Sequence, residues 1–422
     1  MIEFGVFFSI AIIVMGTIYA ITQMDAFNPF TLFAVPYGLC YLVYYKIYSN
    51  HYKLTNKTVL LYVVGITLFL LAFLLAVNTF KNHRMSIRSS GNDLFERPVV
   101  VVQPGMLKLY IFIGIIGFLI GAYQTFKVGI SGPVSFFSNI RINEIQGSGR
   151  NFFVKYSSVF LYVATITDIY NVKSDHRKLS LREYALMGFL LLSVLFTLAR
   201  TELLTYALSL AYMFFVNTYQ TRERRSFFAF LKKYFPLLLM IIAFIAMFLI
   251  IGNNSGRQFG TQLSDENFVL WGYSGHGFVN FDRYAVRGGF IQDWYALFTP
   301  IESILKKVFG AAGRENLGMY INNNFSTFNT FTSFGFMYMC AGTIGLVFVN
   351  LIYGWFCGWL YMRAKGYGGL YEIFYSSYIY TLVISFFAYQ IMNTSYIYVI
   401  VLLLIVTKIN LVFGRQSFRV GI

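Results

Sequence analysis

Arginines set among glycines, aromatics and asparagines are the residues of this chain whose types and spacing suggest chemistry. A guanidinium donates two parallel hydrogen bonds to phosphate oxygens, which gives Arg an advantage over Lys as an anion clamp. Arg257, Arg283, Arg287 and Arg314 fall between Asn253 and Thr330, Arg141 and Arg150 fall between Lys127 and Asn151, and Arg200 stands in Thr197-Leu198-Ala199-Arg200-Thr201-Glu202. An arginine between two apolar runs is costly unless paired or at the water boundary, so Arg200 reads either as a snorkelling anchor paired with Glu202 or as a clamp for a lipid-linked phosphate. Arg141 and Arg150 are open to the same two readings, solvated or anion-binding. His276, in Gly272-Tyr273-Ser274-Gly275-His276-Gly277, offers an imidazole of the kind that takes a proton from an attacking hydroxyl. Asp265, Glu266, Asp282 and Asp293 are rival bases. Trp271, Tyr273, Asn323 and Asn329 are candidates for stacking on sugar rings or bonding their hydroxyls, although an aromatic belt at a membrane surface accounts for many such residues. There is no Asp-x-Asp pair, no histidine pair at metal spacing, no phosphate-cradling glycine loop, no dinucleotide fingerprint and no Gly-x-Ser-x-Gly elbow. Nucleotide hydrolysis and metal catalysis therefore have no support in the sequence, and any departing diphosphate falls to the arginines.

The elements that must position these groups are membrane helices. With 57% hydrophobic and 12% charged residues the chain is too apolar for a soluble globule. Runs of the roughly 20 apolar residues needed to cross a bilayer recur from end to end. They fall at 4–22, 28–46, 59–80, 107–126, 152–170, 184–199, 202–219, 234–252, 331–356, 371–391 and 394–413, which predicts an all-α polytopic protein of about eleven transmembrane helices. The period-two alternation of a membrane β-barrel is absent. Residues 1–422 read as a single membrane domain, with 253–330 a large external loop inside it. Cys40, Cys340 and Cys357 lie in apolar stretches without metal-type spacing. The segment after Met1 carries Glu3 and no basic start, so it reads as a retained helix and not a signal peptide.

The net charge of +16 sits mainly in short loops, which points to membrane orientation and away from nucleic acid. Lys173, Arg177, Lys178 and Arg182 form one basic loop, and Arg222, Arg224, Arg225, Lys232 and Lys233 form the next but one. If both are cytoplasmic, so are Arg363, Lys365, Arg415 and Arg419, while the Arg200 hairpin, the 127–151 segment and the 253–330 insert share the outer face. Lys46, Lys53 and Lys57 break the pattern, through either a miscounted span or a local exception. Within the insert, Thr299-Pro300-Ile301-Glu302 predicts a capped helix ending near Gly310. Its Ile301, Ile304, Leu305 and Val308 share one face and Lys306 and Lys307 fall off it, the pattern of either a helix lying in the interface or a packed loop helix. Gly129-Ile130-Ser131-Gly132-Pro133 predicts a turn, followed by Phe136, Phe137 and Ile140 close to the bilayer.

Three features together resemble the Wzy-type O-antigen polymerases, bacterial membrane enzymes that join oligosaccharide repeat units. They are the Thr-Leu-Ala-Arg200-Thr-Glu hairpin, the large late insert, and Phe328-Asn329-Thr330-Phe331-Thr332-Ser333-Phe334-Gly335 leading into a span that contains Gly342, Gly345 and Gly354. The resemblance implies an inner-membrane glycosyltransferase acting on undecaprenyl-diphosphate-linked oligosaccharides at the periplasmic face, without cofactor, metal or nucleotide. It also implies neighbours in the membrane, a chain-length regulator and a flippase. Arg141, Arg200 and Arg287 are then the leading diphosphate ligands, with Arg150, Arg257, Arg283 and Arg314 as helpers. Related O-antigen ligases carry a histidine near the end of the large loop, where this chain is Asn-rich. That difference favours polymerase over ligase and weakens His276 as a base. A flippase or other transporter is the non-enzyme alternative, whose expected repeats and Gly- or Pro-broken helices are not evident in the sequence.

Overall fold

Large apolar side chains face outward and small ones inward along the first helix, the reverse of a water-soluble helix. Phe4, Phe7, Ile10, Val14 and Ile18 are exposed, while Gly5, Ser9, Ile12, Gly16 and Ala20 are buried. That arrangement fits association in an apolar solvent, where close backbone approach replaces the hydrophobic effect as the source of packing energy. The same inversion recurs in the fourth helix, with Gly114, Gly117 and Gly121 inward and Phe112, Leu119 and Tyr123 outward.

A computed structural model of the chain describes residues 1–88, 102–132, 136, 139–140, 152–175, 177–195, 200–215, 226–239, 268–288, 292–298, 301–310, 330–392 and 394–408. Every regular element among them is helical. In chain order these are α1 (Ile2–Gln23), α2 (Pro29–Ile47), α3 (Asn56–Arg88), α4 (Pro104–Ser131), α5 (Phe152–Ser174), α6 (Leu181–Leu195) and α7 (Arg200–Phe215). There follow α8 (227–239), α9 (Phe268–Asn280), a π-helix (Phe281–Arg287), a 3-10 turn (Trp294–Phe298), α10 (Glu302–Val308), α11 (Ser333–Tyr367), α12 (Gly369–Ile384) and α13 (Thr394–Lys408). Among the described residues, five segments, Ile2–Gln23, Pro29–Ile47, Asn56–Phe80, Pro104–Ser131 and Ser333–Tyr367, are long and apolar enough to cross a membrane. Helices also overlap the other six apolar runs of the sequence.

Local chemistry sets several helix starts. Asn28 caps α2 by accepting from the Thr31 amide at 2.8 Å, with Pro29 in the first turn, and Thr332 caps α11 by accepting from the Gly335 amide at 3.0 Å. The central packing is α3 along α11. Gly354 and Gly358 of α11 form a Gly-x-x-x-Gly step that lets the α3 backbone come close, because a methyl at 358 would stand 2.8 Å from the Phe73 carbonyl oxygen and 2.7 Å from the Ala76 Cβ. Buried tyrosines satisfy carbonyls that helix ends leave open: Tyr375 bonds the Phe27 oxygen at 2.5 Å, Tyr378 that of Ile391 at 2.9 Å, and Tyr37 that of Ser385 at 2.7 Å.

The two ends of the bundle differ. At one end Asp25, in the α1–α2 loop, takes an ion pair from Lys365 at 2.8 Å and a hydrogen bond from Tyr361 at 2.8 Å, while Tyr234 bonds the Met24 oxygen. Lys233, Arg363 and Lys365 therefore stand at that end, as the basic loops of the sequence suggested. At the other end the insert meets the α2–α3 loop. α1, α2 and α3 run back and forth between the two ends, so Lys53 and Lys57 stand at the insert end, opposite Lys233 and Lys365.

The described part of the insert is anchored in the bundle: Phe278 and Phe281 are fully buried, and the Phe278 ring packs edge-on against Tyr41 and Tyr62 at 5.3 and 5.2 Å. Two expectations need correction. The capped helix begins at Glu302, with Ile301 as an N-cap that makes no side-chain bond, and Lys306 turns inward to Asp293 and Glu302 at 2.8 and 2.7 Å. Ile301, Val308 and Phe309 are exposed beside Trp294 and Phe298, so the outward face is apolar, as an interfacial position requires. Finally, α11 is broken at Ala341 and Gly342, where Gly342 has φ 63° and ψ −157°, a conformation that essentially only glycine adopts. A Gly-broken helix is thus present where the sequence showed none.

Replacing Gly354 with Leu forces a side chain against the Phe69 backbone and is expected to destabilise the detergent-purified protein by at least about 1–3 kcal/mol. Thermal unfolding followed by fluorescence checks this, with Ile352→Leu, on the outward face of the same helix, expected to melt like the parent.

Candidate functional site

The α2–α3 loop and the π-helix are joined by one carboxylate. Asp282 is fully buried, yet it is bonded on both oxygens. Its Oδ1 accepts from the Thr55 amide at 2.9 Å, the Thr55 hydroxyl at 2.6 Å and the Thr58 hydroxyl. Its Oδ2 accepts from the Tyr52 hydroxyl at 3.0 Å and from Arg287 Nε at 2.6 Å. Burial alone raises a carboxyl pKa, but the donors from Thr55, Thr58 and Tyr52 outweigh it and hold Asp282 below its usual range.

The π-helix makes this pairing possible. Its wider turn, with i→i+5 bonding, brings Asp282 and Arg287 close in register, whereas five residues along an α-helix point well apart. Arg287 then spans the joint, donating from Nη2 to the Lys53 carbonyl at 2.8 Å while half its side chain stays exposed. The guanidinium groups of Arg283 and Arg287 each lie 5.1 Å from the centre of the Tyr52 ring. Lys57 stands over the Tyr338 ring at 5.1 Å. The loop itself is shaped by Tyr44, which accepts from the Leu54 amide at 3.1 Å and donates to the Tyr52 carbonyl at 2.9 Å. The outcome is a cationic surface at the end of the bundle where the insert docks, with Arg283 and Arg287 on the Tyr52 ring and Lys53 and Lys57 exposed on the adjoining loop and helix start.

The insert is tied at its exit as well. Asn280 donates to the Thr330 carbonyl at 2.8 Å, and the Phe331 and Ser333 amides bond the Phe387 and Ser385 carbonyls at 3.0 and 2.8 Å. Tyr37 joins Ser333 and Ser385 from below. The Thr330-to-Gly335 stretch singled out in the sequence is therefore the joint at which α9, α11 and α12 meet.

His276 sits one turn before the π-helix, with Gly275 and Gly277 letting α9 approach α2 and the 386 backbone. Its ring is edge-on to Tyr48 at 5.5 Å. Burial, and behind it the charge of Arg283, push its imidazole down to about 4. A group that weakly basic stays neutral at pH 7 but has little driving force to take a proton from a hydroxyl. Asp282 is likewise an anchored anion: its oxygens face the loop and not solvent. Asp293 is buried against Lys306.

Of the expected anion ligands, the structure brings Arg283 and Arg287 together. Arg141, Arg150, Arg257, Arg314, Asn323 and Asn329 lie outside the described residues. Arg200 opens α7, and Trp271 and Tyr273 lie in α9, each described for its backbone alone. Tyr52, Lys53, Thr55, Lys57 and Thr58 were missed as site residues. Their one signal was the misplaced positive charge of Lys53 and Lys57. Compared with protein-family models, curated proteins and solved structures, the chain has no match, so a functional reading rests on the chemistry of this surface.

The two titrating groups separate by pH. Because His276 is neutral when folded and has an ordinary pKa near 6.5 when unfolded, the unfolded chain binds the extra proton between about pH 6.5 and 4. Stability should fall as pH drops through that window, by at most about 1.4 kcal/mol per pH unit, and His276→Gln should flatten the fall. Asp282, with a lowered pKa, contributes stability that is present above about pH 3.9 and lost as pH falls through its folded value. Asp282→Asn should therefore cost about 1–3 kcal/mol at pH 7 and progressively less below pH 4. Melting temperatures of the purified variants across pH 3 to 7 check both expectations.

Proposed function

We propose that the chain is a multi-pass bacterial inner-membrane polymerase that joins undecaprenyl-diphosphate-linked oligosaccharide repeat units, of O antigen or a related surface polysaccharide, at its insert end. The observation that carries this reading is the Asp282-anchored cationic surface, with Arg283 and Arg287 on one ring and Lys53 and Lys57 beside them. Two diphosphates brought together repel each other, and a leaving diphosphate gains charge as its bond breaks, so fixed cations favour both assembly and departure. In the proposed reaction an acceptor hydroxyl attacks the anomeric carbon of the donor sugar. The carbon–oxygen bond to the diphosphate breaks, the hydroxyl proton is released, and undecaprenyl diphosphate departs. The donor is already activated, so the step calls for no nucleotide.

On this reading Asp282 is a positioning residue. It neutralises part of Arg287, fixes the direction of the guanidinium and holds the α2–α3 loop with its lysines at the same place. About eleven crossings, with the insert end facing the periplasm, belong to the same proposal; the clustering of Lys233, Arg363 and Lys365 near Asp25 at the opposite end supports that orientation.

A second reading, transport of the lipid-linked unit, is favoured by the break in α11 at Gly342, because broken helices are a recurrent feature of transporter sites. The product separates the readings. In cells, Arg283→Ala with Lys53→Ala, which leaves the Asp282–Arg287 pair in place, is expected to lower long polymer at least 10-fold at unchanged protein level and to leave single lipid-linked units at the outer face, since each charge-assisted contact contributes about 1.5–3 kcal/mol. Single units trapped at the inner face would support transport, long lipid-linked polymer would support a ligase, and full polymer would reject this surface as the site.

A further inference from the structure

An apolar groove of about 840 Å³ runs between α3 and α11 at the end of the bundle opposite the cationic surface. Leu71, Leu75, Phe80, Ile352, Trp355 and Trp359 line it. Leu71 and Phe80 stand 15 and 24 residues beyond the first residue of α3, which at 1.5 Å per residue is about 22–36 Å from the insert end. The groove therefore belongs to the other leaflet, and it is not placed to hold the tail of a lipid whose head lies at Arg283. It exists because the Gly354-to-Gly358 step draws α11 onto Ala72 and Ala76 and leaves the larger side chains flaring on either side.

One cation adjoins the groove through Phe80. Arg363 lies 5.9 Å from the centre of the Phe80 ring, and Phe80 in turn packs against Trp355 at 6.0 Å. The same guanidinium stands 4.8 Å from the Tyr367 ring and 6.0 Å from that of Tyr371, which meets Trp359 edge-on at 5.9 Å. Its Nε is buried with no hydrogen-bond partner among the described residues, so part of the donor capacity of this guanidinium is unspent beside the groove. Arg363 is two residues from Lys365, whose ion pair with Asp25 marks the water boundary at this end. A long apolar trough ending in an aromatic-stacked guanidinium at headgroup depth has the two parts of an anionic-lipid site.

We infer that this groove binds one anionic phospholipid, with an acyl chain along α3 and α11 and its phosphate on Arg363. The inference is independent of the catalytic proposal, because it uses no residue of the insert end. The test uses the full chain with Trp271→Phe and Trp294→Phe, which leaves Trp355 and Trp359 as the only two of the four tryptophans. The protein is reconstituted in phosphatidylcholine vesicles that contain increasing fractions of an acyl-brominated lipid, which quenches an adjacent indole. Brominated phosphatidylglycerol is expected to reach half-maximal quenching at a several-fold lower mole fraction than brominated phosphatidylcholine. Arg363→Gln should abolish that difference, Arg363→Lys should keep part of it, and Leu75→Phe, which fills the trough, should weaken quenching by both lipids. Identical curves for the two lipids in the parent protein, or a preference that survives Arg363→Gln, would overturn the assignment.

Discussion

One buried carboxylate decides where the insert stands. An unpaired charge in an apolar interior is among the most costly features a protein can carry, and Asp282 escapes that cost only while Tyr52, Thr55, Thr58 and Arg287 all donate to it. Those donors come from two parts of the chain more than 220 residues apart, as the 224-residue separation from Thr58 shows. The insert and the α2–α3 loop are therefore obliged to meet, and whatever charges flank the carboxylate in either segment are gathered with it. Arg283, Arg287, Lys53 and Lys57 form one surface for that reason.

The rest of the bundle solves the same problem with neutral groups. Non-helical backbone is tolerated at depth where hydroxyls reach the open carbonyls, and the tyrosines at 37, 375 and 378 do this at the joints around α2, α11 and α12. Close approach supplies the packing energy. Gly354 and Gly358 bring α11 onto α3, and Gly114 and Gly117 bring α4 onto Leu161 and Ser157. Rigid contact on one flank of α11 and a glycine-permitted break at 342 give that helix a fixed lower half and a separately directed upper half, whose first turn carries the Thr332 cap and the Tyr37–Ser333–Ser385 joint.

Much of this was legible from residue order alone. Apolar run length located the five helices long enough to cross a membrane, because a run of that length and composition is itself the signal of such a helix. The Phe331-Thr332-Ser333 stretch was singled out only through the family resemblance, and its physical role, with Thr332 capping α11 and Ser333 bonding Ser385, came from the structure. The π-turn was not legible: Phe281–Arg287 continues α9 without a sequence signal, and only its wider pitch reveals that Asp282 and Arg287 are partners. Lys53 and Lys57 were seen as errors in the orientation pattern, because charge counting has no knowledge of which distant segment lands on a loop. Lys306 misled for the opposite reason. A helical wheel assigns it to water, whereas Asp293 and Glu302 draw it inward and leave Val308 and Phe309 outside.

Purified protein in sealed vesicles, supplied with an undecaprenyl-diphosphate-linked repeat unit at the insert side in the presence of a chelator and no nucleotide, tests the central proposal most directly. Gel separation of the released glycans should show a ladder of lengthening chains with one undecaprenyl diphosphate freed for each unit added. Units that stay single, or that only cross to the other side of the vesicle, would contradict it.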